Sequence, residues 1–396
     1  MKINRWTLAL ASAGLISLPA AAAAEEKPTP LLTGLSSTTI SGYVDVSGQW
    51  NLGTGDEYTP PYSFGGTGKA DGFNLNVVKL ALEKPVDTGE EWGAGYKTEL
   101  LFGPDANALA TQSSGISSSD FGIKQAYVAL HTPVGNGLDF KIGVWDTIIG
   151  YEVTDAPSNP NYTRSYGYSI EPTTHTGIQA AYQVSQACSL IAGVANTFGP
   201  TINGRAFPDD AESYKAYMGA ITLTAPESWG FLAGSTLSGG VINGFNSGAN
   251  AANGANQTSW YVGGTMNTPL KGLKLGASYD YAGVSDQHLT DDATYAYATA
   301  VYLSYQLTEK MTLFVRGEYA GSDALNSNNE PLLGSEKVFA VTGTLQYDIW
   351  KNVLSRIEFR WDHSADGEDA YGGTDPGDSP AKLNSFLLLA NIAYKF

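Results

Sequence analysis

Residues 40–51 read ISGYVDVSGQWN. One parity carries Ile40, Gly42, Val44, Val46, Gly48 and Trp50; the other carries Ser41, Tyr43, Asp45, Ser47, Gln49 and Asn51. Successive side chains of a strand point to opposite faces, so this stretch forms a ribbon with one apolar and one polar face. The alternation returns along the chain. Leu138, Phe140, Ile142 and Val144 alternate with Asp139, Lys141, Gly143 and Trp145. Val353, Ile357, Phe359 and Trp361 alternate with Arg356, Glu358, Arg360 and Asp362. The stretches 92–102, 273–281, 311–319 and 386–396 repeat the pattern. Less regular strands are expected near 72–84, 121–132, 173–185, 187–198, 213–225, 229–239, 257–268, 293–307 and 336–348. The total is about sixteen, within a range of about 14 to 18, and single-chain bacterial barrels have even numbers.

The links support this count. Short ones fall near 85–91, 132–137, 185–187, 225–229, 267–272, 308–310 and 349–352. Long ones, rich in Gly, Ser, Asn, Asp and Pro, fall near 53–71, 103–120, 147–172, 199–212, 240–256, 282–292, 321–335 and 364–383. Alternating short and long links predict periplasmic turns, long outer loops and both termini in the periplasm. A β-sandwich also alternates. Here, though, the apolar parity carries Trp50, Trp92, Trp229, Trp361 and Tyr394 near its ends. That spacing suits aromatic girdles flanking a lipid band. Closure also removes the edges that an open sheet would leave. The expected fold is therefore all-β: a transmembrane antiparallel up-and-down β-barrel over 37–396.

The first 24 residues read as a secretory signal: Lys2 and Arg5, an apolar core from Trp6 to Leu18, then Ala22 and Ala24 before Glu25. Residues 25–36 are expected to be a short periplasmic lead. The densest later apolar run, Phe386–Ala393, is too short for a spanning helix, so membrane insertion requires a closed barrel. The expected location is the outer membrane of a Gram-negative-type bacterium.

Without the first 24 residues the chain has 20 basic and 39 acidic groups, a net charge of −19. That charge excludes nucleic acid as a partner. Gly 46, Tyr 23 and only 15% charged residues suit strands, tight turns and aromatic belts. Cys188 alone excludes an internal disulfide and a cysteine zinc cluster. There is no G-x-S-x-G elbow, H-E-x-x-H or P-loop. DHSADGED at 362–369 lacks calcium-loop spacing. His131, His175 and His363 read as pore-lining or rim groups, and His288 as a loop residue. No catalytic residue, cofactor or metal is expected.

The charges of the clearest strands share the polar parity. Lys97 is expected to pair with Glu99, Asp139 with Lys141, and Arg316 with Glu318; Arg356, Glu358, Arg360 and Asp362 form a run. A basic side chain at the lipid midplane costs about 2–4 kcal/mol, so this parity must face the lumen. Sixteen strands enclose an aqueous channel, whereas eight enclose only side chains. A plugged lumen, with the charges paired to each other, is the alternative.

The longest outer link, 147–172, reads TIIGYEVTDAPSNPNYTRSYGYSIEP and follows the fifth strand. It is expected to fold inward, carrying Glu152, Asp155, Arg164 and Glu171. Glu152 and Asp155 opposite Arg316, Arg356 and Arg360 would set a transverse field on passing solutes. An ordinary surface loop is the other reading. Tyr43, Tyr127 and Trp145 could offer aromatic faces to sugars. Asp209, Asp210, Glu212, Asp291, Asp292, Glu368, Asp369, Asp375 and Asp378 suggest cation enrichment at the mouth, or simply solubility and bridging to lipid.

Four motifs also carry a resemblance: GFNLNVVKLALEKP at 72–85, IKQAYVAL at 123–130, KIGVWDTIIGYE at 141–152 and NPNYTRSYGYSIEPTTHTGI at 159–178. The chain resembles the OmpL-like β-barrel porins in these, over the first half of the barrel. The resemblance implies an outer-membrane porin and names no solute. The expected function is passive diffusion of small hydrophilic solutes through a water-filled channel, with outer-membrane lipid around it. Fold analogy alone suggests a homotrimer. A closed structural or binding barrel presenting its outer loops is the second class of function.

Overall fold

The computed structural model describes residues 37–396, apart from 54, 56, 62–68, 70, 87–90, 114–118, 207–212, 246–255, 286–292, 325–331 and 375–377. The expected signal segment, the 25–36 lead, His288 and the loop acids Asp209, Asp210, Glu212, Asp291, Asp292 and Asp375 lie outside the described residues. Sixteen strands close into one barrel. They are β1 Thr39–Asn51, β2 Gly72–Lys84, β3 Gly93–Phe102, β4 Phe121–Thr132, β5 Leu138–Asp146, β6 Thr174–Ser185, β7 Cys188–Ala195 and β8 Ala216–Thr224. They continue as β9 Thr236–Phe245, β10 Asn256–Asn267, β11 Leu273–Val284, β12 Thr294–Gln306, β13 Met311–Ser322, β14 Lys337–Trp350, β15 Val353–Ser364 and β16 Asn384–Lys395. Each strand pairs antiparallel with its sequence neighbours, and β16 returns to β1 with Tyr43 opposite Lys395 and Asn51 opposite Leu387.

The parity read from the sequence divides outside from inside. Ile357 is 60% exposed while the adjacent Arg356 is 2% exposed. Val46 and Trp50 are exposed while Asp45, Ser47, Gln49 and Asn51 are buried. The outward residues form an apolar band. It is edged by an aromatic run from Tyr281 through Tyr295, Tyr297 and Tyr319 to Phe339, with ring centroids 6.5, 6.3, 6.1 and 4.7 Å apart. Trp92, Trp229, Trp350 and Tyr394 are exposed towards the short turns. Such rings sit at the level of lipid headgroups. An Ile357→Arg substitution is expected to destabilise the folded barrel by about 2–4 kcal/mol in lipid. Equilibrium unfolding from vesicles measures this; a change near zero would place Ile357 away from hydrocarbon.

One strand is displaced from its expected place. The stretch 229–239 was expected to be extended, but Glu227–Leu232 forms tight helical turns after Pro226. Gly230 and Gly234 take φ of 62° and 78°, which favours glycine, and the ladder resumes with Thr224 opposite Thr236. Trp229 therefore belongs to the turn, not to a strand. A second irregularity changes which face a strand's side chains take. Asp45 pairs with Val77 and Val46 with Leu75, so Asn76 is an extra residue in β2. This bulge exchanges the faces: Phe73 and Leu75 are exposed before it, whereas Val77, Lys79 and Ala81 are buried after it.

Two links carry structure of their own. The link after β3 holds helix α1, Ala106–Leu109, and its Gln112–Ser113 pairs in parallel with Thr201–Ile202 of the link after β7. The link after β5 holds helix α2, Tyr166–Ile170, capped by the Ser165 side chain, which accepts from the Tyr168 amide.

Candidate functional site

The inner wall has two halves of different chemistry. On β13, β15 and β16 and on β1–β5 it carries charges and amides: Arg316, Glu318, Arg356, Glu358, Arg360, Asn391, Asp45, Lys79, Glu99 and Lys141 among them. On β6–β10 it is largely apolar. There Ala181, Ile191, Ala195, Ala216, Met218, Ile242 and Tyr261 form one buried cluster with Trp145 and with Ile148 and Ile149 of the 147–173 segment.

That segment is bonded to the charged half at many points. Arg316 Nη1 donates to Glu152 at 2.8 Å and to the Thr163 carbonyl at 2.7 Å, while its Nε donates to Glu318 at 2.6 Å. The Tyr162 and Thr163 amides donate to Glu358 at 2.6 and 2.9 Å. The Tyr166 amide donates to Glu318 at 2.7 Å and its hydroxyl to Asp362 at 2.8 Å. Arg360 donates to the Arg164 carbonyl at 2.6 Å and pairs with Asp362 at 2.8 Å. Asn161 donates to Thr344 at 2.7 Å, and Arg356 to the Asn159 carbonyl at 3.2 Å. Further round the wall, Lys79 meets Asp155 at 2.5 Å and Glu99 at 2.8 Å, and Tyr43 donates to Asp155 at 3.3 Å. These wall groups belong to the inner parity of their strands. Charge-assisted bonds to backbone amides and carbonyls fix the segment's path as well as its attachment.

The pattern of short turns, long loops, an apolar outer band and a charged inner wall is that of an outer-membrane barrel, and the family comparison names which. A family model described as "Putative beta-barrel porin-2, OmpL-like" matches residues 37–396. The chain belongs to this porin family. No curated protein matches it in sequence. Solved structures share the fold at low identity. The anion-selective porin from Comamonas acidovorans is 13% identical, with a TM-score of 0.60 over 91% of this chain and 99% of that one. In vitro folded OmpT of Vibrio cholerae is 12% identical, with a TM-score of 0.57 over 91% and 97%. The outer membrane channel DcaP of Acinetobacter baumannii is 15% identical, with a TM-score of 0.56 over 91% and 97%.

Within this porin barrel the sequence-expected charges are sorted in an unexpected way. Lys97 pairs with Glu99 at 3.1 Å and Arg316 with Glu318, as their spacing implied. Asp139 does not pair with Lys141. It meets His131 Nδ1 at 2.6 Å, and Lys141 leans over the Tyr127 ring at 5.0 Å. Glu152 does not face the arginines across a gap but touches Arg316, and Asp155 pairs with Lys79 instead. Arg316, Arg356, Arg360 and Glu358 are almost fully buried beneath the segment, because its carbonyls and amides occupy the space in front of them. Arg164 turns back into its own segment, onto the Tyr162 and Thr154 carbonyls at 2.5 and 2.6 Å. Glu171 lies beside Asp280; desolvation and that neighbouring carboxyl push its own carboxyl well above the usual range.

The aromatic candidates are not one row. Trp145 is buried in the apolar cluster, Tyr43 is tied to Asp155, and Tyr127 lies under Lys141. His175 is buried in the wall, whereas His363 lies on the outer parity, against Trp361 and Asn384 at the barrel end. Lys79, Asn76 and Asn391 were missed by sequence reasoning. Lys79 is the only charge within NLNVVKLAL, and a lone lysine in an apolar strand was the available signal.

Proposed function

We propose that the chain is an outer-membrane porin through which small hydrophilic solutes diffuse passively, with the 147–173 segment lying in the lumen and narrowing it. The observation that carries this is the set of bonds from that segment to inner-parity side chains on β1, β2 and β13–β15. An outer surface loop could not reach them. The remaining lumen then lies between the segment and the turn-side half of β2–β6, where Lys97, Glu83 and Asp139 keep part of their side-chain surface. The reading needs no cofactor and no covalent step. It includes export by residues 1–24, a lipid-facing girdle and assembly as a trimer, the form named for one OmpT structure of Vibrio cholerae.

The closed-barrel reading has one observation in its favour: the segment buries most of the arginine wall. Two measurements decide. Purified protein in a planar bilayer is expected to give discrete conductance steps; silence at every voltage would favour the closed barrel. A cysteine pair at Asn161 and Thr344, whose side chains touch at 2.7 Å, is expected to form a disulfide under mild oxidation. Failure to cross-link would remove the lumen position of the segment.

A further inference from the structure

We infer that Lys141, Gln179 and Tyr127 form a binding shelf in the lumen for a small carboxylate bearing a neighbouring hydroxyl. This rests on the lumen being open to solutes on the turn side of the 147–173 segment. The case begins with which wall cations are already engaged. Lys79 is held by Glu99 and Asp155, Lys97 by Glu99, Lys124 by Asp146, Arg316 by Glu152 and Glu318, and Arg360 by Asp362. Arg356 is covered by Asn391 and the Asn159 carbonyl. Lys141 is different. Among the described residues its ammonium makes no ion pair and no hydrogen bond, and it lies over the Tyr127 face, 5.0 Å from the ring centroid. The side chain is half-buried and points to the lumen parity of β5.

The acids that could neutralise it are taken. Asp139, two residues away on the same face, holds His131. Glu99 holds Lys79 and Lys97, and Glu83 reaches Lys97 at 3.8 Å. An ammonium over a π-face keeps three donors to offer, because the aromatic face attracts the charge without supplying a hydrogen-bond acceptor. A solute carboxylate completes that set.

Gln179 supplies the second half of the shelf. It stands directly opposite Lys141 in the β5–β6 ladder, so the two side chains are neighbours on the lumen face. Gln179 is 3% exposed, yet its Oε1 has no partner. Buried polar atoms of native proteins are nearly always satisfied, so the open acceptor of Gln179 beside the uncommitted ammonium of Lys141 calls for a partner, and a bound solute can supply one to each. A solute carrying a carboxylate for Lys141 and a neighbouring hydroxyl that donates to Gln179 Oε1 would supply both complements. Tyr127 provides the floor.

The test uses citrate and tricarballylate, which differ by one hydroxyl. Each is added to full-length protein in a planar bilayer, and the current is normalised to that of the same channel in KCl. Citrate is expected to block wild-type current, and Lys141→Gln to raise its half-blocking concentration at least about tenfold, the effect of losing one charge-assisted contact. Lys141→Arg is expected to retain block, which separates loss of charge from misfolding. Gln179→Leu is expected to weaken citrate and leave tricarballylate unchanged. Equal block of wild type and Lys141→Gln would overturn the shelf. Calorimetric titration of citrate into detergent-solubilised protein reads the same site without current. Binding with no conductance would leave the shelf standing and remove the open channel, whereas no binding to the wild type would overturn the shelf itself.

Discussion

An Arg316→Ala variant is expected to release the 147–173 segment and widen the channel. The Arg316 guanidinium is fully buried and serves six oxygens at once: Glu152, Glu318, the Thr163 and Arg164 carbonyls, Thr163 Oγ1 and Thr342 Oγ1. Removing it leaves two carboxylates that are also almost fully buried. Breaking one side of a buried ion pair costs about 3–5 kcal/mol, because an uncompensated charge remains. The loop can shed most of that cost by swinging Glu152 into water, which the β-ladder of the wall cannot do. The expected readings are a larger single-channel conductance, a broader spread of conductance levels and a nearly intact barrel. Unchanged conductance with unchanged thermal stability would mean that Arg316 does not hold the loop. Glu152→Gln is the milder companion: the contact geometry survives and one charge is lost, so a smaller change of the same sign is expected.

The second large effect is expected at the seam where the chain closes on itself. Asn391 on β16 accepts from Arg356 Nε and Nη2 at 3.1 and 2.8 Å, and donates to Asp45 on β1 at 3.0 Å. Asn76 donates to the other Asp45 oxygen at 2.5 Å, and Ser47 donates to Asn76 at 3.1 Å. One carboxamide thus joins a cation on β15 to an anion on β1, with no direct contact between the charges. Asn391→Leu strips both ions of a partner in a site that water cannot enter, and about 3–5 kcal/mol of barrel stability should be lost. The measure is the temperature at which the compact form converts to the slow-migrating form on a detergent gel. Ala390→Val, one residue away on the lipid side, should leave that temperature unchanged. A midpoint in Asn391→Leu equal to that of the wild type would dismiss the seam network as a stabilising element.

The barrel was legible because period two is a local signal written into every strand. ISGYVDVSGQWN needs no knowledge of its neighbours to reveal which face meets lipid. The parity of the wall charges was legible for the same reason: placing Arg356 or Lys141 on the apolar parity would have cost too much. What the sequence did not reveal was who meets whom. Asn391 lies 35 residues from Arg356 and 346 from Asp45, and only ring closure brings the three together. The Asp139–Lys141 pairing failed because His131, directly opposite Asp139 on the preceding strand, takes the carboxylate at 2.6 Å. Lys79 was hidden by the bulge at Asn76, which shifts the parity mid-strand. The strand expected at 229–239 failed because apolar residues of a turn at the membrane surface mimic a strand when Gly230 and Gly234 are not given their turn conformation.

Closure between β1 and β16 also sets the order of events in assembly. Every other strand meets its neighbour soon after it, across a link or hairpin, while this one pairing spans nearly the whole polypeptide and carries the largest loop-closure entropy. The cylinder cannot close without Asn384–Lys395, which supplies both the final ladder and Asn391. Until β16 pairs, β1 and the last strand formed present unpaired edges. A permuted chain, cut in the two-residue turn at 351–352 and joined at its old ends, would move that vulnerable join to β14 and β15.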